Sequence, residues 1–394
     1  MSQSIQDASL SNTFNRVQRV SLVVGGVALF AGIISAFFGV ASFFQSYLYA
    51  YLFWLGLALG CMAMLLVQHL VGGSWGAMIR RPLEAGVMVL PLMGILFIPL
   101  LLGMGSLYEW THADVVAASP ILQAKTAYLN VPFFIIRAIF YFAVWIGGAY
   151  LFWRWSQRQD DGDSSVTAKL QRYSAPGLIL YILTMTFAAY DWGMSLEPEW
   201  FSGIYGVTFM IGQVISSVAF LIGFVVLFNR KEPLSEMVNR TRVQDLGNFL
   251  MGFTMFWAYV SVSQYIIIWS GNIVETASWY AYRMDGEWRG VALFLLVFHF
   301  FVPFLVLFSR WVKQSMRMLV WVAMWMILMR FVDLFWIIVP AFGREGFPLH
   351  LLDVVLVVGI GGLWLAAFAY WMKGKSLLPL NDPRVQLGKA NAHD

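Results

Sequence analysis

Ten apolar runs, each about long enough to cross a bilayer, constrain this chain more than any other feature. A helix needs about 20 mostly apolar residues to cross a hydrocarbon core of roughly 30 Å. The runs are 20–44, 47–71, 83–105, 127–153, 174–190, 202–229, 247–270, 290–309, 317–340 and 350–372. They read as helices, because an open sheet leaves backbone groups unsatisfied in lipid and a barrel strand is only about ten residues long. Composition agrees. With 60% hydrophobic and 12% charged residues, a soluble fold of 394 residues could not bury its apolar surface. The sequence predicts an all-α polytopic membrane protein: a polar segment 1–19 without a cleavable signal pattern, a ten-span domain 20–372 and a tail 373–394.

Ten spans place both termini on one face. That face also carries the loops 72–82, 154–173, 230–246 and 310–316. It takes all but six of the 25 lysines and arginines: Lys125, Arg283, Arg289 and Arg344 fall on the opposite face, and Arg137 and Arg330 lie within spans. The positive-inside rule makes the termini face cytoplasmic. Net charge +4 and a pI of 9.1 then reflect membrane topology and give no reason to invoke nucleic acid. The longest links are too short for an independent soluble core.

Cofactor motifs are missing from the sequence. The five histidines are His69, His112, His299, His350 and His393, and no two within the membrane share a depth, as a pair of axial haem ligands must. Cys61 stands alone, and there is no C-x-x-C-H, H-E-x-x-H or Walker lysine pattern. The sequence therefore predicts no haem, cluster or metal held by this chain.

Ionisable groups within spans are costly unless paired or hydrated, so each is a candidate functional residue. Arg330 and Asp333, three apart in span 9, share a helical face. At 1.5 Å per residue they lie about 15 and 10 Å from Pro340. A structural ion pair and a proton-handling group are both open readings. His299, mid-span in span 8, reaches toward them if spans 8 and 9 are neighbours, as the short link 310–316 implies. It is either a satisfied neutral imidazole or a titrating one. Pro303 follows one turn later and kinks the helix. Asp353 and His350 start span 10, where capping is the plain alternative. Asp191 ends span 5, followed by Glu197 and Glu199.

Gln213, Ser216 and Ser217 in span 6, and Thr254, Ser261, Ser263 and Gln264 in span 7, add softer polarity, although serines more often serve packing. Together these groups predict an outer half-channel on the face away from the termini. The inner half rests on His69 at the end of span 2 and Glu84 at the start of span 3. Pairing of Glu84 with Arg80 and Arg81 at the surface is the plain reading there. Tyr47, Tyr49, Tyr51 and Trp54 read as part of an interfacial aromatic belt.

Two stretches, YLFWLGLALGCMAMLLVQHLVGGSWG (51–76) and YDWGMSLEPEWFSGIYG (190–206), resemble one family. It is the NrfD/PsrC-like membrane subunits of bacterial alternative complex III, a quinol:cytochrome c oxidoreductase. The chain is more similar to the ActF type than to its ActC-type paralogue, with the DWxMSLEPxW stretch containing Asp191 the most specific part. The resemblance implies ten helices with two four-helix bundles, spans 2–5 and 6–9. It also implies partners: an ActC-like paralogue, pentahaem and monohaem cytochromes c, an iron–sulfur protein of molybdopterin-enzyme type, small membrane subunits, lipids and, in some assemblies, a terminal oxidase. The c-type haems and iron–sulfur clusters then belong to partners, and quinol is the substrate of the complex, oxidised mainly in the ActC-type subunit. The ActF type contributes assembly and a candidate proton-translocation path in the bacterial inner membrane. Spans 3–5 hold no His–Asp pair like the quinol-binding groups expected of the ActC type, and span 3 has few polar side chains after Glu84, which argues against an independent quinone site in this chain. Two other classes compete: a purely structural membrane subunit, and a secondary transporter, whose inverted repeat would pair Gly/Pro-broken helices in both halves.

Overall fold

The computed structural model describes residues 2–343, 349–379 and 381–385, so Arg344 and His393 lie outside the described residues. Ten helices among them are long and apolar enough to cross a membrane, and no strand occurs. These spans, numbered 1 to 10, are Ser9–Ala36, Val40–Val71, Ser74–Leu102, Val131–Asp160, Ser165–Leu196, Tyr205–Phe228, Arg240–Gly271, Gly286–Phe308, Met316–Phe342 and Leu351–Met372.

Spans 2 and 6 form the centre, where neither touches much lipid. Span 2 packs on spans 3, 5, 6 and 10, and span 6 packs on spans 5, 7 and 9. Spans 3 and 4, and spans 4 and 5, are also in contact, as are spans 7 and 8 and spans 8 and 9. Small residues permit the closest approach. A Cβ on Gly60 would stand 2.1 Å from the Gln213 carbonyl oxygen of span 6, so only glycine lets spans 2 and 6 meet there. Span 1 differs. It packs almost wholly on span 10, and a Cβ on Gly25 would stand 2.8 Å from the Gly362 Cα. Its outer row, Val20, Val23, Val27 and Phe30, is exposed to the surroundings.

Several boundaries differ from the sequence expectation, for one physical reason. Apolar runs mark the hydrocarbon core, whereas helices continue past it wherever charged groups find partners. Span 1 ends at Ala36, and a turn at Phe37–Gly39 hands residues 40–44 to span 2. Span 3 starts at Ser74, so the expected loop 72–82 shrinks to a Gly72–Gly73 turn with both φ positive, and Arg80 and Arg81 lie inside the helix. The expected 154–173 loop becomes a short turn at residues 161–164, because the helices of spans 4 and 5 run from Val131 to Asp160 and from Ser165 to Trp192.

Prolines break span 3 into segments, Ser74–Val87, Leu90–Leu96 and Ile98–Leu102. Carbonyls released at such breaks need new donors in lipid. Span 2 supplies them: the Tyr51 hydroxyl donates to the Met93 carbonyl at 2.9 Å, and Tyr47 to the Leu96 carbonyl at 2.8 Å. Tyr47, Tyr49 and Tyr51 are therefore buried bonding groups and not the interfacial anchors their sequence suggests. Span 8 solves the same problem differently. Its turn Leu296–Phe301 is a π-helix, and the following Pro303 cannot donate to its usual acceptor, the His299 carbonyl. The widened turn also frees the Phe298 carbonyl, which accepts from the Trp325 indole N–H at 2.8 Å.

Candidate functional site

Three clusters of buried charge stand out among the described residues, and they differ in how completely they are satisfied. The first lies on the termini face. Arg80 is fully buried and donates to Glu84 Oε1 at 2.8 Å, Gln159 Oε1 at 2.6 Å, Asp382 Oδ2 at 2.7 Å and Ser156 Oγ at 3.0 Å. Arg81 donates to Glu84 Oε2 at 2.7 Å and also pairs with Asp160. The expectation of a surface pair is corrected here: Glu84 pairs with both arginines but is buried between spans 3 and 4, where Arg80 and Arg81 neutralise it and the Ser156 hydroxyl donates to it. Arg384 pairs with Asp382 within the tail at 3.0 Å, ties the tail to span 2 through the Gln68 carbonyl at 3.1 Å, and stands 3.5 Å from His69 Nδ1. Burial alone would raise the Asp382 carboxyl, but Arg384 and Arg80 outweigh it and hold it below the ordinary value.

The second group joins spans 4 and 5. Asp191 is fully buried and receives both arms of Arg137, Nε to Oδ2 and Nη2 to Oδ1, each at 2.8 Å, plus the Tyr141 hydroxyl at 2.8 Å. Arg137 also donates to the Tyr128 carbonyl at 3.0 Å and stands 3.9 Å over the Tyr128 ring. A bidentate pair with a third donor is a closed arrangement. Glu197 is likewise engaged: Arg283, fully buried, reaches its two oxygens at 3.1 and 2.6 Å and ties the short helix Val274–Arg283 across the end of the bundle. Glu199 is exposed.

The third group lies among spans 6 to 9. Arg330 and Asp333 pair on span 9, as their spacing predicts, and both are buried. The Trp257 indole N–H of span 7 approaches Asp333 Oδ1 at 3.3 Å. The Trp257 ring lies flat on that of His299, with centroids 4.1 Å apart and 4° between planes. His299 is fully buried within the π-turn, and among the described residues its ring nitrogens make no hydrogen bond of good geometry, although the Met329 backbone approaches them. A Cβ on Gly212 would stand 2.1 Å from Arg330 Cζ, so span 6 leaves a glycine-sized slot for the guanidinium.

Asp333 also lines a cavity of ≈ 250 Å³ between these spans. Its walls are mixed, with Tyr205, Trp257, Trp279, Tyr280 and Trp336 among aliphatic and small residues. Gln264 lines it as well and accepts from Ser202 Oγ at 3.4 Å.

The remaining candidates fall outside these groups. Gln213 lies between spans 5 and 6, accepting from the Tyr181 hydroxyl at 2.7 Å and facing Met185 Sδ at 3.1 Å. Ser216 and Thr254 return their hydroxyls to carbonyls of their own helices at 2.8 and 2.7 Å, which makes them packing groups. Asp353 accepts from the His350 backbone N–H at 2.9 Å in a reciprocal capping box, the plain alternative for that pair. So Arg330, Asp333 and His299 come together, Gln264 joins them across the cavity, and Asp191 and Asp353 are held elsewhere. Sequence reasoning missed Arg137 as the partner of Asp191. A lone in-span arginine demands a carboxylate, and Asp191 near the same face was the available signal. It also missed Asp382, whose polar tail carries no such mark.

Among the described residues no three His, Cys, Asp or Glu side chains converge as a metal site requires. The fold and these buried charges define a class: an all-α, ten-span membrane protein with ionisable groups held in its interior. No family model matches the chain, and no curated protein matches it.

Proposed function

We propose that this chain is an ActF-type, NrfD-like subunit of a respiratory quinol:cytochrome c oxidoreductase in a bacterial inner membrane, with both termini cytoplasmic. In this reading it holds the membrane part of the complex together and carries a proton path, while quinol oxidation takes place mainly in a paralogous subunit. The observation that carries the reading is the His299–Trp257–Asp333–Arg330 cluster at a cavity wall. A carboxylate bordering space that can hold water, beside an imidazole without a good hydrogen bond, is what a proton-handling site requires. The ring of contacts through spans 2, 3, 4 and 5, and a second through spans 6, 7, 8 and 9, supports the two-bundle architecture of that family. The motif around Asp191 supports the same assignment.

The purely structural reading has one observation in its favour, the closed Arg137–Asp191–Tyr141 arrangement, and we assign that group to architecture. Mild-detergent purification through a tag on this chain tests the proposal. Co-purification of c-type cytochromes and an iron–sulfur protein with quinol:cytochrome c activity is the expected result. A haem-free chain active in isolation would refute it. Within the complex, Asp333→Asn is expected to keep electron transfer and lower proton release per electron; an unchanged ratio removes Asp333 from any proton path.

A further inference from the structure

The link between spans 8 and 9, on the termini face, gathers positive charge with no negative charge to balance it. Its short helix, Arg310–Gln314, carries Arg310 and Lys313, and Arg317 follows in the first turn of span 9. No Asp or Glu occurs in the chain between Glu287 and Asp333. Among the described residues none of these three cations is in an ion pair.

Lys313 stands out among them. It is only 7% exposed, and its ammonium has one contact among the described residues, Met251 Sδ at 3.9 Å. By contrast the buried Arg80, Arg137, Arg283 and Arg330 each reach a carboxylate. A buried charge without a partner is destabilising, and a bound counter-charge would recover that loss. A lysine on a surface usually turns its ammonium out into water. Here packing fixes the stem instead. A Cβ on Gly247 would stand 2.9 Å from Lys313 Cγ, so span 7 leaves a glycine-sized groove for it. Next along the chain, the Gln314 amide donates to Gln244 Oε1 of span 7 at 2.8 Å and holds the link against that span.

The surroundings narrow the choice of anion. Arg310 and Arg317 are exposed on either side of Lys313. Phe308 and Trp311 are 74% and 68% exposed, and Leu305, one turn deeper in span 8, is exposed as well. Aromatic groups at a span end mark the headgroup level of a bilayer. The positive charge therefore lies where lipid phosphates lie, with bare apolar surface beneath it for lipid chains. Basic pockets between transmembrane helices are known to take anionic headgroups. A phosphate offers several acceptor oxygens, which the three donors of an ammonium and two flanking guanidiniums can meet together. A soluble anion would leave the apolar surface bare, and a zwitterionic lipid brings a cation of its own.

We propose that Lys313, with Arg310 and Arg317, binds the phosphate of an anionic phospholipid whose chains lie along Leu305 and Phe308. The lipid supplies the counter-charge that this part of the chain lacks. Such a site does not rest on the respiratory reading, since it needs only this chain and its bilayer.

The purified full chain, stripped of lipid in a neutral detergent, is titrated with dioleoyl phosphatidylglycerol or dioleoyl phosphatidylcholine, and bound lipid is counted by native mass spectrometry. The tightest phosphatidylglycerol should bind at least about 10-fold more tightly than phosphatidylcholine, the strength of one charge-assisted hydrogen bond. Lys313→Met keeps the stem, removes the charge and should erase that preference. Arg310→Gln and Arg317→Gln, at exposed positions, should each weaken it about 2- to 5-fold. Thermal unfolding in nanodiscs checks that the variant is folded. Lys313→Met should melt higher than the unaltered protein in phosphatidylcholine, because an unpaired charge is gone, and should lose the added stability that phosphatidylglycerol gives. Equal binding of the two lipids, or a preference unchanged in a folded Lys313→Met protein, overturns the proposal. Displacement of phosphatidylglycerol by inorganic phosphate at equal concentration also overturns it, because the site would then take a soluble anion. A photo-cross-linker at position 311 in native membranes should capture lipid; capture of an acidic protein segment in its place would give this corner to a protein partner and overturn the lipid assignment.

Discussion

The halves formed by spans 2–5 and by spans 6–9 handle buried charge in opposite ways. In the first, two buried arginines are met on several sides: Arg137 is clamped on Asp191 with Tyr141 as a third contact, and Arg80 meets four acceptors. In the second, Arg330 and Asp333 form a pair within one helix, an imidazole stacks beside them, and a cavity opens on the carboxylate. Both arrangements pay for desolvation with pairing, but only the second leaves bonding capacity facing open space. A closed pair can only hold helices together, whereas a pair beside a cavity can exchange protons or bind a ligand.

The sharpest way to break this comparison is to remove one charge from each half. Asp191→Asn strands Arg137 in a dry interface and should cost about 3–5 kcal/mol, the usual penalty for an uncompensated buried charge. Thermal unfolding of the purified protein reads it, and Arg137→Met combined with Asp191→Leu should recover most of the loss. Next in size is Gly60→Ala, where a methyl would collide with backbone of span 6. Overpacking of this kind costs about 1–3 kcal/mol, read as a lower melting temperature with the two halves losing their mutual protection from hydrogen exchange. Asp333→Asn should cost less than Asp191→Asn, about 1–2 kcal/mol, because the cavity that Asp333 lines can admit water beside the buried pair. Equal losses at positions 191 and 333 would erase the distinction drawn here.

The smallest effect concerns the tail. The Asp382 carboxyl is held below its ordinary value in the folded protein, so its stabilisation is complete above about pH 4. It is lost as pH falls through the lowered folded value. A nitroxide at the exposed position of Pro383 should stay immobile at neutral pH and become mobile only well below pH 4. Arg80→Gln should move that transition upward. Mobility at neutral pH in the unaltered protein would show that the tail is not pinned.

Fold class was legible in the sequence because lipid permits so few backbone solutions, and ten apolar runs leave little choice. Helix ends were not, since Arg80 and Arg81 look like loop residues until Glu84, Ser156, Gln159 and Asp382 are seen around them. The Arg330–Asp333 pair was readable from a three-residue spacing. The Arg137–Asp191 pair spans two helices and 54 residues of chain, and no local pattern announces it. The cavity was invisible for the same reason, being made of side chains from four spans whose tryptophans look like any others.

The Gly25–Gly362 contact sets a condition on how this molecule is made. Span 1 is synthesised well before its main partner, span 10, with eight spans between them. At about 5–20 residues per second, the first helix waits on the order of tens of seconds in the bilayer before its partner exists. Its apolar outer row suits that interval, and the contact with span 10 becomes a late event of assembly. With cysteines at positions 25 and 362, the cross-link should form only in chains long enough for span 10 to have entered the bilayer, and its absence from the folded protein would contradict the contact.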